Sequence, residues 1–185
     1  GDNVLKGIQK EVAYYELDLG LNHVSRRWAT EAHSSACCMV PLHGGADGPS
    51  GVLVGGEDYI EYIHEGMPTK IVCAVPRREL HPPQKGVLIT TMTVHKQKKS
   101  KLFALAQSEL GDVFKVSIRL DANDVTKVVG MTISVLDTLP PANSLNISKF
   151  GMLFVSAEFS DHSLYQFERI EVENTAPSCT SEKTM

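Results

Sequence analysis

The side chains best suited to covalent chemistry lie before position 52. His43-Gly44-Gly45, followed by Gly48-Pro49-Ser50-Gly51, has the composition of an oxyanion loop and a nucleophilic serine. A nucleophile elbow needs glycines on both sides of the serine at a strand-to-helix turn, but position 52 is Val and the flanking periodicity is that of strands. The run therefore reads as a Gly- and Pro-rich loop between strands, and no catalytic residue is expected. His33, Cys37, Cys38 and His43 put four metal-competent side chains within eleven residues. The cysteines are adjacent rather than spaced as in zinc sites, and no second pair closes a tetrahedron, so no metal and no cofactor is expected. Lys96, Lys98, Lys99 and Lys101 cluster with His95, and Arg77-Arg78 follows Pro76. These are the candidate contacts to nucleic acid or a partner: Arg77, Arg78, Lys96, Lys98 and Lys99. Phosphate contact is one reading of the lysines. A solvated hairpin tip that blocks edge-to-edge pairing is the other, and the lack of interleaved aromatics for base stacking favours it.

The elements that must position these residues are strands. Phe114, Val116, Ile118 and Leu120 alternate with mostly polar residues, and Val129, Met131, Ile133 and Val135 alternate with Gly130, Thr132 and Ser134. Tyr15, Leu17 and Leu19 alternate with Glu16 and Asp18 in the same way. Residues 101–110 have local helix propensity, yet they open one copy of an internal repeat and are read as a strand. The repeat runs from a small, apolar strand through a turn into an aromatic-led strand, at residues 52–63, 103–118 and 153–167. Its leading aromatics, Tyr59, Phe114 and Tyr165, stand 55 and 51 positions apart, and Tyr15 opens a fourth such strand 44 positions before Tyr59. A period of about 45–50 residues in an all-strand chain is the spacing of propeller blades.

The composition agrees with a folded domain. Of 185 residues, 42% are hydrophobic and 22% charged, with a formal charge of -4, so no overall basic field draws the chain to nucleic acid or anionic lipid. No apolar run approaches the roughly 18 residues of a membrane span, and no membrane contact is expected. The four cysteines do not suggest a secreted disulfide framework, and the chain reads as intracellular. The expected fold is all-β: a partial β-propeller of antiparallel four-stranded blades over residues 1–172, about three and a half blades, then a disordered tail at 173–185. A closed ring needs about four to eight blades, so a piece of a larger propeller is expected, its terminal blades exposing apolar faces. Residues 41–50, 77–85 and 139–143 are expected to punctuate the blades.

Five runs carry a specific resemblance: YELDLGLNHV from Tyr15, GGADGPSGVLV from Gly44, VPRR from Val75, FALAQSELGDVFKV from Phe103 and FGMLFVSAEFSDHSLYQF from Phe150. They resemble a family of three-propeller scaffolds that includes subunit 3 of splicing factor 3b, damaged-DNA-binding protein 1 and the large subunit of the cleavage and polyadenylation factor. The likeness covers most of residues 11–167 and is strongest to the splicing member. It implies part of a first propeller and a non-catalytic scaffold in the nucleus. The implied partners are the HEAT-repeat subunit and small subunits of splicing factor 3b, within the spliceosomal ribonucleoprotein that recognises the branch site. A ubiquitin-ligase adaptor like damaged-DNA-binding protein 1 is the alternative within the fold, and a direct nucleic-acid-binding module is the alternative outside it. Residues 27–42, with Cys37-Cys38, and 79–85 depart from the family pattern.

Overall fold

The computed structural model describes residues 9–45, 48–68, 70–96, 102–167 and 178–180, in two compact units, Gly1–Ala36 and Cys37–Met185. The first unit holds a hairpin of β1 (Lys10–Asp18) and β2 (His23–Ala32), whose antiparallel register slips between Tyr14 and Tyr15. Asp18 makes the turn: its Oδ1 accepts the N–H groups of Gly20 at 2.9 Å and Leu21 at 3.1 Å. A short acidic side chain that captures the backbone just beyond it is what such a turn favours.

The second unit is built from sheets. β3 (Cys38–Pro41), β4 (Val52–Gly55), β5 (Tyr59–Ile63) and β6 (Ile71–Ala74) form a four-stranded antiparallel meander. A second meander follows, of β7 (Ile89–Lys96), β8 (Leu102–Ser108), β9 (Asp112–Leu120) and β10 (Val128–Thr138). β11 (Ala142–Ile147), β12 (Met152–Ala157) and β13 (Ser163–Gln166) form a three-stranded sheet. Within the stretch expected to be a disordered tail, β14 (Ser178–Thr180) pairs antiparallel with Gly130–Thr132 at the outer edge of β10. The repeats found in the sequence are the hairpins β4–β5, β8–β9 and β12–β13. One expected boundary moves: residues 42–51 join β3 to β4 inside a single sheet and do not separate blades. Glycine and proline mark a turn there, but cannot tell a turn within a blade from a link between blades.

The sheets pack face to face, with β3 against β7 and β7 against β11, and with β6 against β10. The central sheet is thus covered on both sides, and β8 is buried at all seven positions. Leu102, Ala104 and Ala106 join the core shared with the β3–β6 sheet, together with Leu53, Ile60, Phe114 and Ile133. Phe103 and Leu105 point the other way, into the core formed with Leu145, Leu153 and Val155. Side chains alternate across a strand, so an apolar run covered on both faces must serve two cores. The helix propensity of this run is overridden because a helix would present one apolar stripe, whereas this position needs two opposite apolar faces.

Candidate functional site

Arg77 and Arg78 lie in the linker from β6 to β7, and each is committed to a carboxylate. Arg77 Nε donates to Asp58 Oδ1 at 3.1 Å, its Nη2 to Asp58 Oδ2, and its Nη1 to the Pro83 carbonyl at 3.3 Å. Asp58 sits in the β4–β5 turn with φ 67°, a left-handed conformation that Asp tolerates better than most residues. It works through every polar atom: its N–H donates to Val87 O at 2.8 Å, its carbonyl accepts from Val75 N–H at 2.9 Å, and Oδ1 accepts from Val87 N–H at 2.9 Å. Partial burial pushes the Asp58 carboxyl up, but Arg77 and the Val87 N–H outweigh it and hold the group below the usual carboxylate range. Arg78 reaches forward to the next sheet, where its Nε lies 2.9 and 2.8 Å from the two Asp112 carboxylate oxygens. Thr138 Oγ1 donates to Asp112 Oδ1 at 2.9 Å, so β9, β10 and the linker meet at one carboxylate. Hydrogen bonds and charge from Asp112 raise the Arg78 guanidinium further above its already high range. The two arginines act as staples, one to the preceding sheet and one to the following sheet.

The next linker, from β10 to β11, repeats the plan with different residues. Leu139 N–H donates to Gly111 O at 2.9 Å, as Val75 does to Asp58, and Gly111 also has a positive φ, 86°. A Cβ on Gly111 would lie 2.2 Å from Leu139 O, so only glycine lets the linker approach. Gln107, fully buried at the end of β8, supplies what the arginines supply elsewhere. Its amide is directed at the carbonyls of Pro140 at 3.1 Å and of Gly111 and Leu139 at 3.3 Å, and its oxygen accepts the Ala142 N–H at 3.0 Å. Sequence reasoning passed over Gln107. Its signal was a lone amide ending an otherwise apolar strand, which has to find partners where it is buried.

Lys96 lies elsewhere. It ends β7 opposite Leu102, at the far end of β8 from the Ser108 turn, and six strand steps put about 20 Å between the two ends. Lys98 and Lys99 lie outside the described residues. Lys96 thus lies on the rim opposite the one that holds Arg77 and Arg78. On the Lys96 rim, Ser50 Oγ lies 2.5 Å from His64 Nε2, and His64 Nδ1 lies 2.6 Å from the Glu65 carbonyl. A carbonyl only accepts, so Nδ1 carries the proton and Nε2 accepts from the serine. Gly44 packs beside this pair, since a Cβ there would lie 2.9 Å from Ser50 Cβ. The loop read as HGG-plus-serine is brought together in space, but a neutral carbonyl stands where a triad has the carboxylate that stabilises imidazolium. A cleft of about 550 Å³ opens next to His64, lined by Tyr62, Met67, Pro68, Ile71 and Lys127. His33 Nδ1 is paired with Ser35 Oγ at 2.8 Å, and among the described residues no three His, Cys, Asp or Glu side chains gather in one group.

Comparison with known proteins bears on this architecture. The family model described as RSE1/DDB1/CPSF1 first beta-propeller matches residues 3–183. The chain belongs to this family. Among curated relatives of the first-propeller family, it is 43% identical over 173 residues to spliceosome-associated protein 130 A of Arabidopsis thaliana and 42% identical over 177 residues to splicing factor 3B subunit 3 of Danio rerio, in both cases over 94% of the chain. Pre-mRNA-splicing factor rse1 of Neurospora crassa is 40% identical over 88% of the chain. The chain spans 14% of the length of each of these relatives. Its sheets are therefore propeller blades, and the stapled linkers are the crossings from the outer strand of one blade to the inner strand of the next. As a first-propeller segment it offers two different rims. One is built of linkers and carboxylate–arginine pairs, the other of longer loops that carry the Ser50–His64 pair, the cleft and Lys96.

Proposed function

We propose that this propeller segment serves as a non-catalytic protein-interaction scaffold in pre-mRNA splicing, in the manner of splicing factor 3B subunit 3. The observation that carries this reading is the identity of 42–43% over 94% of the chain to proteins named for the spliceosome. The geometry is consistent with it, because the linker rim presents a braced surface rather than a reaction site. Leu80 is 97% exposed there, inside a turn that the His81 N–H closes on Arg78 O at 3.0 Å, with a second turn following in which the Lys85 N–H donates to Pro82 O at 3.1 Å. An exposed leucine on a pre-ordered loop gives a partner an apolar anchor at little entropic cost. On this reading the partners are the HEAT-repeat and small subunits of splicing factor 3b, the compartment is the nucleus, and the assembly takes part in branch-site recognition. On this reading direct RNA contact would fall to Lys96, Lys98 and Lys99, because Arg77 and Arg78 are paired with carboxylates.

Affinity purification of the tagged protein from nuclear extract, with identification of both proteins and RNA, tests the proposal. Recovery of the HEAT-repeat splicing subunit with a spliceosomal small nuclear RNA is the expected result. Recovery of a cullin with substrate receptors and no such RNA would replace it with the ligase-adaptor reading. RNA affinity that falls steeply with salt and drops on changing Lys98 and Lys99 to Ala would instead assign direct nucleic-acid binding.

A further inference from the structure

Cys37 and Cys38 stand where the chain enters β3. Successive side chains on a regular strand point to opposite faces. Here both sulfurs reach the same place. Cys37 Sγ lies 2.8 Å from the Ile89 carbonyl oxygen and 3.7 Å from that of Gly55, while Cys38 Sγ lies 3.3 and 3.9 Å from the same two oxygens. The regular ladder with β4 begins at Cys38, and Cys37 stands just before it, its N–H donating to Gly55 O at 3.0 Å, where the strand's strict alternation of sides does not yet apply. Position 55 must also be glycine, since a Cβ there would lie 2.9 Å from both Cys38 Sγ and Ile89 Cγ2. Cys37 is exposed and Cys38 half-buried, so the pair is open to reagent on one side and backed by carbonyls on the other. Burial, and after it the neighbouring Cys37 sulfur, push the Cys38 thiol up to about 12, so its proton stays in place until a ligand displaces it.

We propose that Cys37 and Cys38 form a two-sulfur chelate for a trivalent arsenic centre. Two S–H bonds are given up, two As–S bonds form, and the arsenical oxide leaves as water with both thiol protons, so no oxidant or reductant is needed. Direct oxidation to a disulfide fits less well. Neighbouring α-carbons are about 3.8 Å apart, short of the separation that disulfides prefer, whereas a bridging atom lets the sulfurs stand further apart. Soft thiolate donors select soft, thiophilic centres over the hard cations that carboxylates take. Loading would also withdraw both thiol donors from Ile89 O and Gly55 O, where β3 meets β7.

The test is intact-mass spectrometry of the reduced full chain with phenylarsine oxide, followed by a wash with excess monothiol or with 2,3-dimercaptopropanol. One phenylarsenic adduct per chain is expected, resistant to monothiol and removed by the dithiol. It should be absent from Cys37→Ser and from Cys38→Ser, and retained by Cys179→Ser. Cys37 is exposed, so Cys37→Ser should melt with the wild type and separate loss of the site from loss of the fold; Cys37→Ala provides a second variant with the same expectation. A monothiol-resistant adduct that persists in either Cys37 variant, or none in the wild type, overturns the proposal.

Discussion

Gln107 carries more of the architecture than its single amide suggests. The strand before it is apolar because it feeds two cores, and the amide at its end stands where that strand meets the linker from β10 to β11. Replacing Gln107 with Ala strands the Ala142 N–H and the Pro140 carbonyl in a buried place, and each such group costs about 1–3 kcal/mol. Gln107→Ala is therefore expected to lower unfolding free energy by about 3 kcal/mol in urea titrations. Gln107→Glu should cost more, because a carboxylate would face three carbonyl oxygens. An unchanged midpoint in both variants would remove Gln107 from its role. Arg77 and Arg78 teach a complementary lesson. Their types made them candidates for contact with nucleic acid or a partner, and the structure pairs them with Asp58 and Asp112, residues that sequence inspection had no reason to pair with them, while the Arg78 side chain stays half exposed.

At the scale of elements, the linker from β6 to β7 is the piece whose conformation depends on charge. Beyond the single bridge of Glu57 with Leu88, a few separate backbone bonds, such as Val75 N–H to Asp58 O and Asp58 N–H to Val87 O, share the work of holding it with side chains. Asp58 holds it through both Arg77 and Val87, and this contact makes a pH prediction. The folded carboxyl titrates below its free value, so the contribution is complete above about 4 and is lost as pH falls through the folded value. The melting temperature should thus fall as the solution is acidified below about pH 4. Asp58→Asn, which keeps an oxygen for the Val87 N–H but removes the charge, should melt lower at neutral pH and lose part of that acid dependence. Parallel pH slopes for the two proteins would exclude this contact as the source. The strands themselves needed no such help to be found. β9 and β10 follow from period-two alternation, and β8 followed from the repeat even against its helix propensity.

At the scale of the molecule, coverage of blade faces decides behaviour in solution. The β7–β10 blade is covered on both sides, but the outer face of the β11–β13 sheet leaves Phe154 and Leu164 paired with each other and largely exposed. The hairpin of the first unit likewise shows Tyr15, Leu17 and Val24 to solvent. Apolar faces of this kind are what a propeller buries against the next blade. Expressed by itself, the chain is expected to bind a hydrophobic dye, and Phe154→Ser with Leu164→Thr should reduce the signal without changing the β-sheet circular dichroism. A dye-negative, monodisperse wild type would contradict the exposure.

The sequence by itself determined the alternating strands, the blade period and the family, but not β14, which pairs within a stretch expected to be disordered. Alternation and repetition are local or periodic signals, written along the chain by the need of each sheet face for apolar side chains. Only the tertiary structure decided which loops cross between blades, where the two arginines are spent, that Ser50 meets His64, and that Cys37 and Cys38 converge on shared carbonyls. Those pairings join residues up to tens of positions apart, and their partners are backbone oxygens, single carboxylates or one imidazole, which leave no pattern in residue type. The closing distances are set by how blades pack, and that is fixed only when the sheets come together.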